Sequence, residues 1–73
     1  MGNKGDIMQE TLSQRLRRLR RAKGLSQLQL AEKIGITHSQ VSDYELGGRK
    51  PSLTTLEWLC KFFEVTASEL LGF

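Results

Sequence analysis

A single all-α domain of five short helices is what this sequence predicts, and three of its features carry that prediction. A serine or threonine followed three residues later by glutamine or glutamate recurs at Thr11 and Gln14, Ser26 and Gln29, Thr37 and Gln40, and Thr66 and Glu69. At that spacing the hydroxyl and the longer side chain satisfy backbone N–H groups that a helix start otherwise leaves unpaired. Gly24, Gly35, Gly47 and Gly72 each stand just past an apolar-periodic segment, where a left-handed residue closes a helix. Between these marks apolar residues return every three or four positions, and no stretch shows the strict alternation of a strand.

Residues 1–10 are expected to form a flexible N-terminal tail, because the stretch from Met1 to Asp6 holds two glycines and no apolar residue after Met1. Residues 11–73 form the domain. Its first helix is predicted over residues 12–22, with Leu12, Leu16 and Leu19 on one face. The second, over 27–34, buries Leu30, Ala31 and Ile34, and the third, over 38–46, turns Val41 and Tyr44 inward. The fourth runs over 53–63 behind Ser52, a cap placed directly after Pro51. In it Leu53, Leu56, Leu59, Cys60 and Phe63 fall within one broad arc at about 100° per residue. Trp58 and Phe62 then project away from that arc. A last short helix over 67–71 closes the base with Val65 and Leu70. Cys60, in the middle of the arc, reads as a small buried hydrophobe rather than a reactive thiol.

With 73 residues the chain is shorter than a typical domain of about 100 to 150, so one small core is expected and a multidomain enzyme is excluded. Hydrophobic residues at 38% and charged ones at 26% allow collapse and argue against disorder. No apolar run approaches the roughly 20 residues that span a bilayer, and the N-terminus lacks a signal core, so a cytoplasmic protein without membrane insertion is expected. One cysteine makes no internal disulfide and no metal site by itself, so neither metal nor cofactor is expected and packing must supply the stability.

The net charge of +3 is unevenly distributed: residues 1–14 carry −1, 15–23 carry +6, 24–50 carry none and 51–73 carry −2. The positive block is Arg15, Arg17, Arg18, Arg20, Arg21 and Lys23, and Arg49 with Lys50 follows a double glycine. An acidic polymer, nucleic acid foremost, fits such a block. A solvated face that only keeps the protein soluble is the alternative, and a membrane-surface helix built on Leu12, Leu16 and Leu19 is a weaker one.

Two short helices joined by a tight turn at Gly35 and Ile36, behind a basic helix, make a helix-turn-helix layout. The residues that fill it are the run from Arg15 to Leu25, Ser26-Gln27, Leu30-Ala31, Gly35-Ile36-Thr37, Val41-Ser42, Tyr44-Glu45, Pro51-Ser52-Leu53 and Thr55-Leu56. With them the chain resembles the phage repressor and Cro-type helix-turn-helix family, the xenobiotic response element family of bacterial regulators, over about residues 12–71. The resemblance implies a lambda-repressor-like all-α domain. It also implies a function: sequence-specific binding of double-stranded DNA by a transcriptional regulator, in most cases a dimeric repressor, with helix 38–46 in the major groove of a near-palindromic operator.

Carried over by position, His38, Ser39, Ser42 and Asp43 would face base edges, since a helix enters the groove with its N-terminal part leading. None is a long bidentate reader. Asp43 could accept from a cytosine amino group, or instead pair with a basic neighbour. His38, if it touches DNA, would strengthen binding as pH falls through the range near 6.5. Ser26 and Gln27 sit at a helix start, whose N–H groups and dipole suit a phosphate. The resemblance gives Gln27 a phosphate bond, supported by Gln40 across the turn. It also gives Arg49 and Lys50 backbone contacts near the dimer centre, Arg17 or Arg21 contacts with flanking phosphates, and Arg20 and Glu45 a structural ion pair.

Trp58 and Phe62, placed opposite the apolar arc, would leave two large aromatics in solvent. A self-complementary homodimer contact, widened by Leu71 and Phe73, accounts for them. The alternative is cover from the tail carrying Phe73 or from Ile7 and Met8. A second function class also follows from this surface: an antitoxin or other interaction module whose aromatic face binds a partner protein. An enzyme is not expected, because one histidine and a core cysteine offer no convergent catalytic set.

Overall fold

The computed structural model describes residues 10–72; the expectations resting on residues 1–9 and on Phe73 lie outside the described residues. Five helices follow in order: α1 (Leu12–Ala22), α2 (Gln27–Ile34), α3 (His38–Leu46), α4 (Leu53–Phe63) and α5 (Ala67–Leu71). All five bounds coincide with those expected from the sequence. The reason is local hydrogen bonding. Thr11, Ser26, Thr37 and Thr66 each accept from the backbone N–H three residues on, and Gln14, Gln29, Gln40 and Glu69 each return the bond. Ser52 caps α4 by accepting from the Thr55 N–H at 3.2 Å.

Gly24, Gly35, Gly47 and Gly72 all take positive φ at helix ends. The stop of α4 is different. Glu64 takes φ 58°, the one non-glycine residue in the left-handed region among the described residues. The Val65 N–H then bonds the Cys60 carbonyl at 3.0 Å, which is the closing bond of a Schellman turn. Nothing in the residue type at position 64 announces this, since the conformation costs a glutamate about 1 kcal/mol or more.

The core is Leu16, Leu30, Ala31, Val41, Tyr44, Leu59, Phe63 and Leu70, ringed by half-buried Leu12, Leu19, Ile34, Ile36, Leu56, Cys60, Phe62 and Val65. Helix α3 packs on α2 and α1, α1 also on α5, and α4 on α5 and α2. On α4 the buried line is Thr55, Leu59 and Phe63, so the expected arc must be corrected. Leu53 is 72% exposed. Helical projection places it about 120° from Leu59, and including it with Cys60 swings the apparent centre of the face by about 60°. Phe62 falls on the other flank of the true centre. It is half-buried, with its ring edge-on to Phe63 at 5.1 Å and the Lys23 ammonium 5.4 Å above it, rather than facing solvent.

Candidate nucleic-acid interface

Helices α2 and α3 meet through the turn at Gly35. The N–H groups of Gly35 and Ile36 both return to the Ala31 carbonyl, at 2.9 and 3.0 Å, and Gly35 takes φ +78° with open space where a Cβ would stand. Backbone conformation alone therefore asks for glycine there. The turn brings the first residue of α3 back to the first residue of α2: His38 Nε2 lies 3.1 Å from Gln27 Oε1. Two capped helix N-termini thus stand side by side on one exposed end of the motif.

Behind them lies Glu45, 4% exposed. Arg20 donates to its carboxylate twice, from Nε to Oε2 at 2.6 Å and from Nη2 to Oε1 at 2.9 Å, and a third donor, Nη1, bonds the Leu25 carbonyl at 2.7 Å. The fork geometry is the strong, bidentate kind. Gln27 Nε2 also donates to Glu45 Oε1 at 3.0 Å, and Arg17 Nε stands 3.5 Å from the same oxygen. Burial pushes the Glu45 pKa up, but the bonds from Arg20 and Gln27 and the charges of Arg20 and Arg17 outweigh it and hold the carboxyl below its ordinary value. Arg20 is correspondingly raised by its bond to Glu45. The network ties the C-terminal half of α1, the start of α2 and both ends of α3 into one unit.

The expected pairing of Arg20 with Glu45 is therefore present. Two contacts on the same residue were not legible: Gln27, 18 residues away, reaches the carboxylate, and Arg17, 28 residues away, reaches both the carboxylate and the Glu45 carbonyl, only through the packing of three helices. Gln40 does not reach Gln27. Its Oε1 accepts from the Thr37 N–H at 2.9 Å and lies 3.2 Å from the Thr37 hydroxyl, because the cap of α3 claims that side chain first. His38 and Ser39 are exposed, whereas Ser42 and Asp43 are half-buried by the packing of α3 against two helices. Ser26 is exposed at the start of α2.

The basic block divides in two. Arg15 is buried and donates to the Leu70 and Glu10 carbonyls at 3.1 and 2.8 Å. Arg18 pairs with the Glu10 carboxylate at 3.1 Å. With Arg20 held by Glu45, Arg15 and Arg20 tie the helices together and are not offered to an acidic polymer, whereas Arg18 stays exposed beside Glu10. Arg21, Arg49 and Lys50 are exposed and Arg17 half-exposed. Arg17, Arg49 and Lys50 border one open cleft with Ser13, Glu45 and Leu46.

On the far side of the molecule Trp58 is 44% exposed and borders a shallow depression with Ile34, Phe62, Lys33 and Lys61. Leu71 is half-buried. Leu53, Leu56, Cys60 and Ala67, with Glu57 and Lys61, line a second depression on the opposite flank of α4; the expected arc had assigned Leu53, Leu56 and Cys60 to the core. Burial and the nearby Glu57 charge push the Cys60 thiol pKa up, so it is not an activated nucleophile. Among the described residues, no helix is long and apolar enough to cross a membrane.

The family model for helix-turn-helix matches residues 16–70. An uncharacterized HTH-type transcriptional regulator of Bacillus subtilis, YobD, is 46% identical over 59 residues, 81% of this chain and 53% of that protein. The immunity repressor protein of Bacillus phage phi105 is 36% identical over 62 residues, 85% of this chain and 43% of that protein. The chain thus spans about half the length of the curated relatives it matches. Among solved structures, the restriction-modification controller protein C.AhdI from Aeromonas hydrophila superposes with a TM-score of 0.75 at 42% identity, covering 82% of this chain and 91% of that one.

Proposed function

The chain belongs to the helix-turn-helix family, and from that premise we propose that it is a sequence-specific, double-stranded DNA-binding transcriptional regulator acting as a homodimeric repressor. The observation that carries this is the contact between Gln27 and His38 at 3.1 Å, which sets the N-termini of α2 and α3 together at one exposed end. A duplex laid across that end meets the α2 N–H groups with a phosphate. Helix α3 enters the major groove with His38 and Ser39 leading and Ser42 and Asp43 along its flank. Ser26, Gln27 and Gln40 serve the phosphates beside the groove. Arg17 with Arg49 and Lys50, around one cleft, and Arg21 serve those farther along. One relative is the immunity repressor protein of Bacillus phage phi105, which supports repression.

The homodimer is proposed to form through the apolar surface of α4 around Trp58, with Phe62 and Leu71 at its margin; the expected widening by Phe73 lies outside the described residues. The lysines beside Trp58, Lys33 and Lys61, support a second reading, an interaction module that receives an acidic partner protein. The test is selection of bound sequences from a random duplex pool, with affinity measured at two salt concentrations. An enriched inverted repeat is expected. A steep salt slope without enrichment overturns sequence-specific recognition and favours the interaction module.

A further inference from the structure

We propose that His38 reads a single base by its Nδ1 atom, in a tautomer fixed by Gln27, and that protonation exchanges cytosine for guanine or thymine among the bases it accepts; this rests on the DNA-binding reading above. The direction of each bond in the chain Glu45, Gln27, His38 is forced. An ionised carboxylate only accepts, and Glu45 is held ionised by Arg20. The Gln27 group 3.0 Å from Glu45 Oε1 is therefore its NH2, which leaves Oε1 of Gln27 as the acceptor facing His38. At 3.1 Å from that oxygen, His38 Nε2 must carry the hydrogen. Neutral imidazole then has its lone pair on Nδ1, and Nδ1 has no bonding partner among the described residues.

An acceptor on Nδ1 suits a base that presents an amine in the major groove, the N6 of adenine or the N4 of cytosine. When the ring takes up a second proton, that proton goes to Nδ1 while Nε2 keeps its hydrogen and its bond to Gln27. Nothing in the protein has to move. Nδ1 is now a donor, suited to N7 or O6 of guanine, O4 of thymine or N7 of adenine, so cytosine is the base it no longer suits. The charged groups along this chain are Glu45 on α3 and its partners Arg20 and Arg17 on α1; from α2 the neutral Gln27 is what meets the ring.

His38 is the chain's one histidine, so its ring nitrogens are unambiguous by 15N NMR. In the free protein at about pH 8, above the histidine range, the Nε2–H tautomer is expected; an Nδ1–H tautomer overturns the inference without touching the DNA-binding reading. Selections from a random duplex pool are then run at about pH 8 and about pH 5.5, either side of that range. At one position in each half-site cytosine is expected to lose to guanine or thymine at the lower pH, by roughly tenfold in relative affinity, while adenine is accepted at both. His38→Ala, an exposed substitution whose fold is checked by circular dichroism, is expected to weaken binding and to lose the base preference at that position at both pH values. The same repeat at both pH values, or a change that survives in His38→Ala, overturns the inference alone. No inverted repeat at either pH overturns the DNA-binding reading as well.

Discussion

Replacing Glu45 by alanine removes the acceptor that holds three helices together. Arg20, 8% exposed, loses both bonds to the carboxylate and keeps only its 2.7 Å bond to the Leu25 carbonyl. Gln27 and Arg17 lose the same partner. Breaking a buried pair from one side costs about 3 to 5 kcal/mol, because the remaining charge stays desolvated. A domain of this size has about 4 to 11 kcal/mol of total stability, so Glu45→Ala is expected to remove about a quarter or more of it. Each kcal/mol moves the melting point by about 4 to 8 °C in a domain this small, which predicts a drop of at least about 12 °C. Thermal and urea unfolding by circular dichroism measure this directly. The pH dependence supplies an independent check. The folded carboxyl titrates below its unfolded value, so between the two the unfolded chain binds more protons and stability rises with pH. The contribution is present above the unfolded value of about 4.3 and is lost as pH falls through the lower, folded one. Glu45→Ala is expected to lack that acid-side slope. A cost under about 1 kcal/mol, typical of a solvated surface pair, together with an unchanged slope, would refute the network.

Glu64→Gly is expected to stabilise the fold by about 0.5 to 1 kcal/mol, since relief of the left-handed strain exceeds the added chain entropy; a lower melting temperature would count against the strain at φ 58°. Arg49→Ala and Lys50→Ala together are expected to reduce the slope of log affinity against log salt by about 1.8 in magnitude, at about 0.9 per phosphate contact, with no change in the preferred sequence; an altered consensus would mean that one of them touches a base. Trp58→Ala is expected to leave the unfolding cooperative, because the side chain is nearly half exposed, while shifting sedimentation toward the monomer. A dimer unaffected by this substitution would move the proposed interface to the Leu53, Leu56 and Cys60 flank of α4.

Every helix among the described residues was legible in the sequence, and so was the helix-turn-helix they compose. The cause is range: a cap such as Thr37 with Gln40 or a stop such as Gly35 involves backbone groups no more than five residues apart, so residue type at fixed spacing decides it. What the sequence left undetermined is rotation and partnership. Helical periodicity says that α4 has an apolar face, but only contact with α2 and α5 makes Thr55, Leu59 and Phe63 its centre and leaves Leu53 in solvent. Charge along α1 has the same limit. Six cations in nine residues look alike until the fold brings Leu70 and Glu10 to Arg15, Glu45 to Arg20, and the Glu10 carboxylate to Arg18. Gln27 owes its link between Glu45 and His38 to the same convergence. Local hydrogen bonding specified the elements, and desolvation of distant groups against one another decided which side chains hold the fold and which are left to meet a ligand.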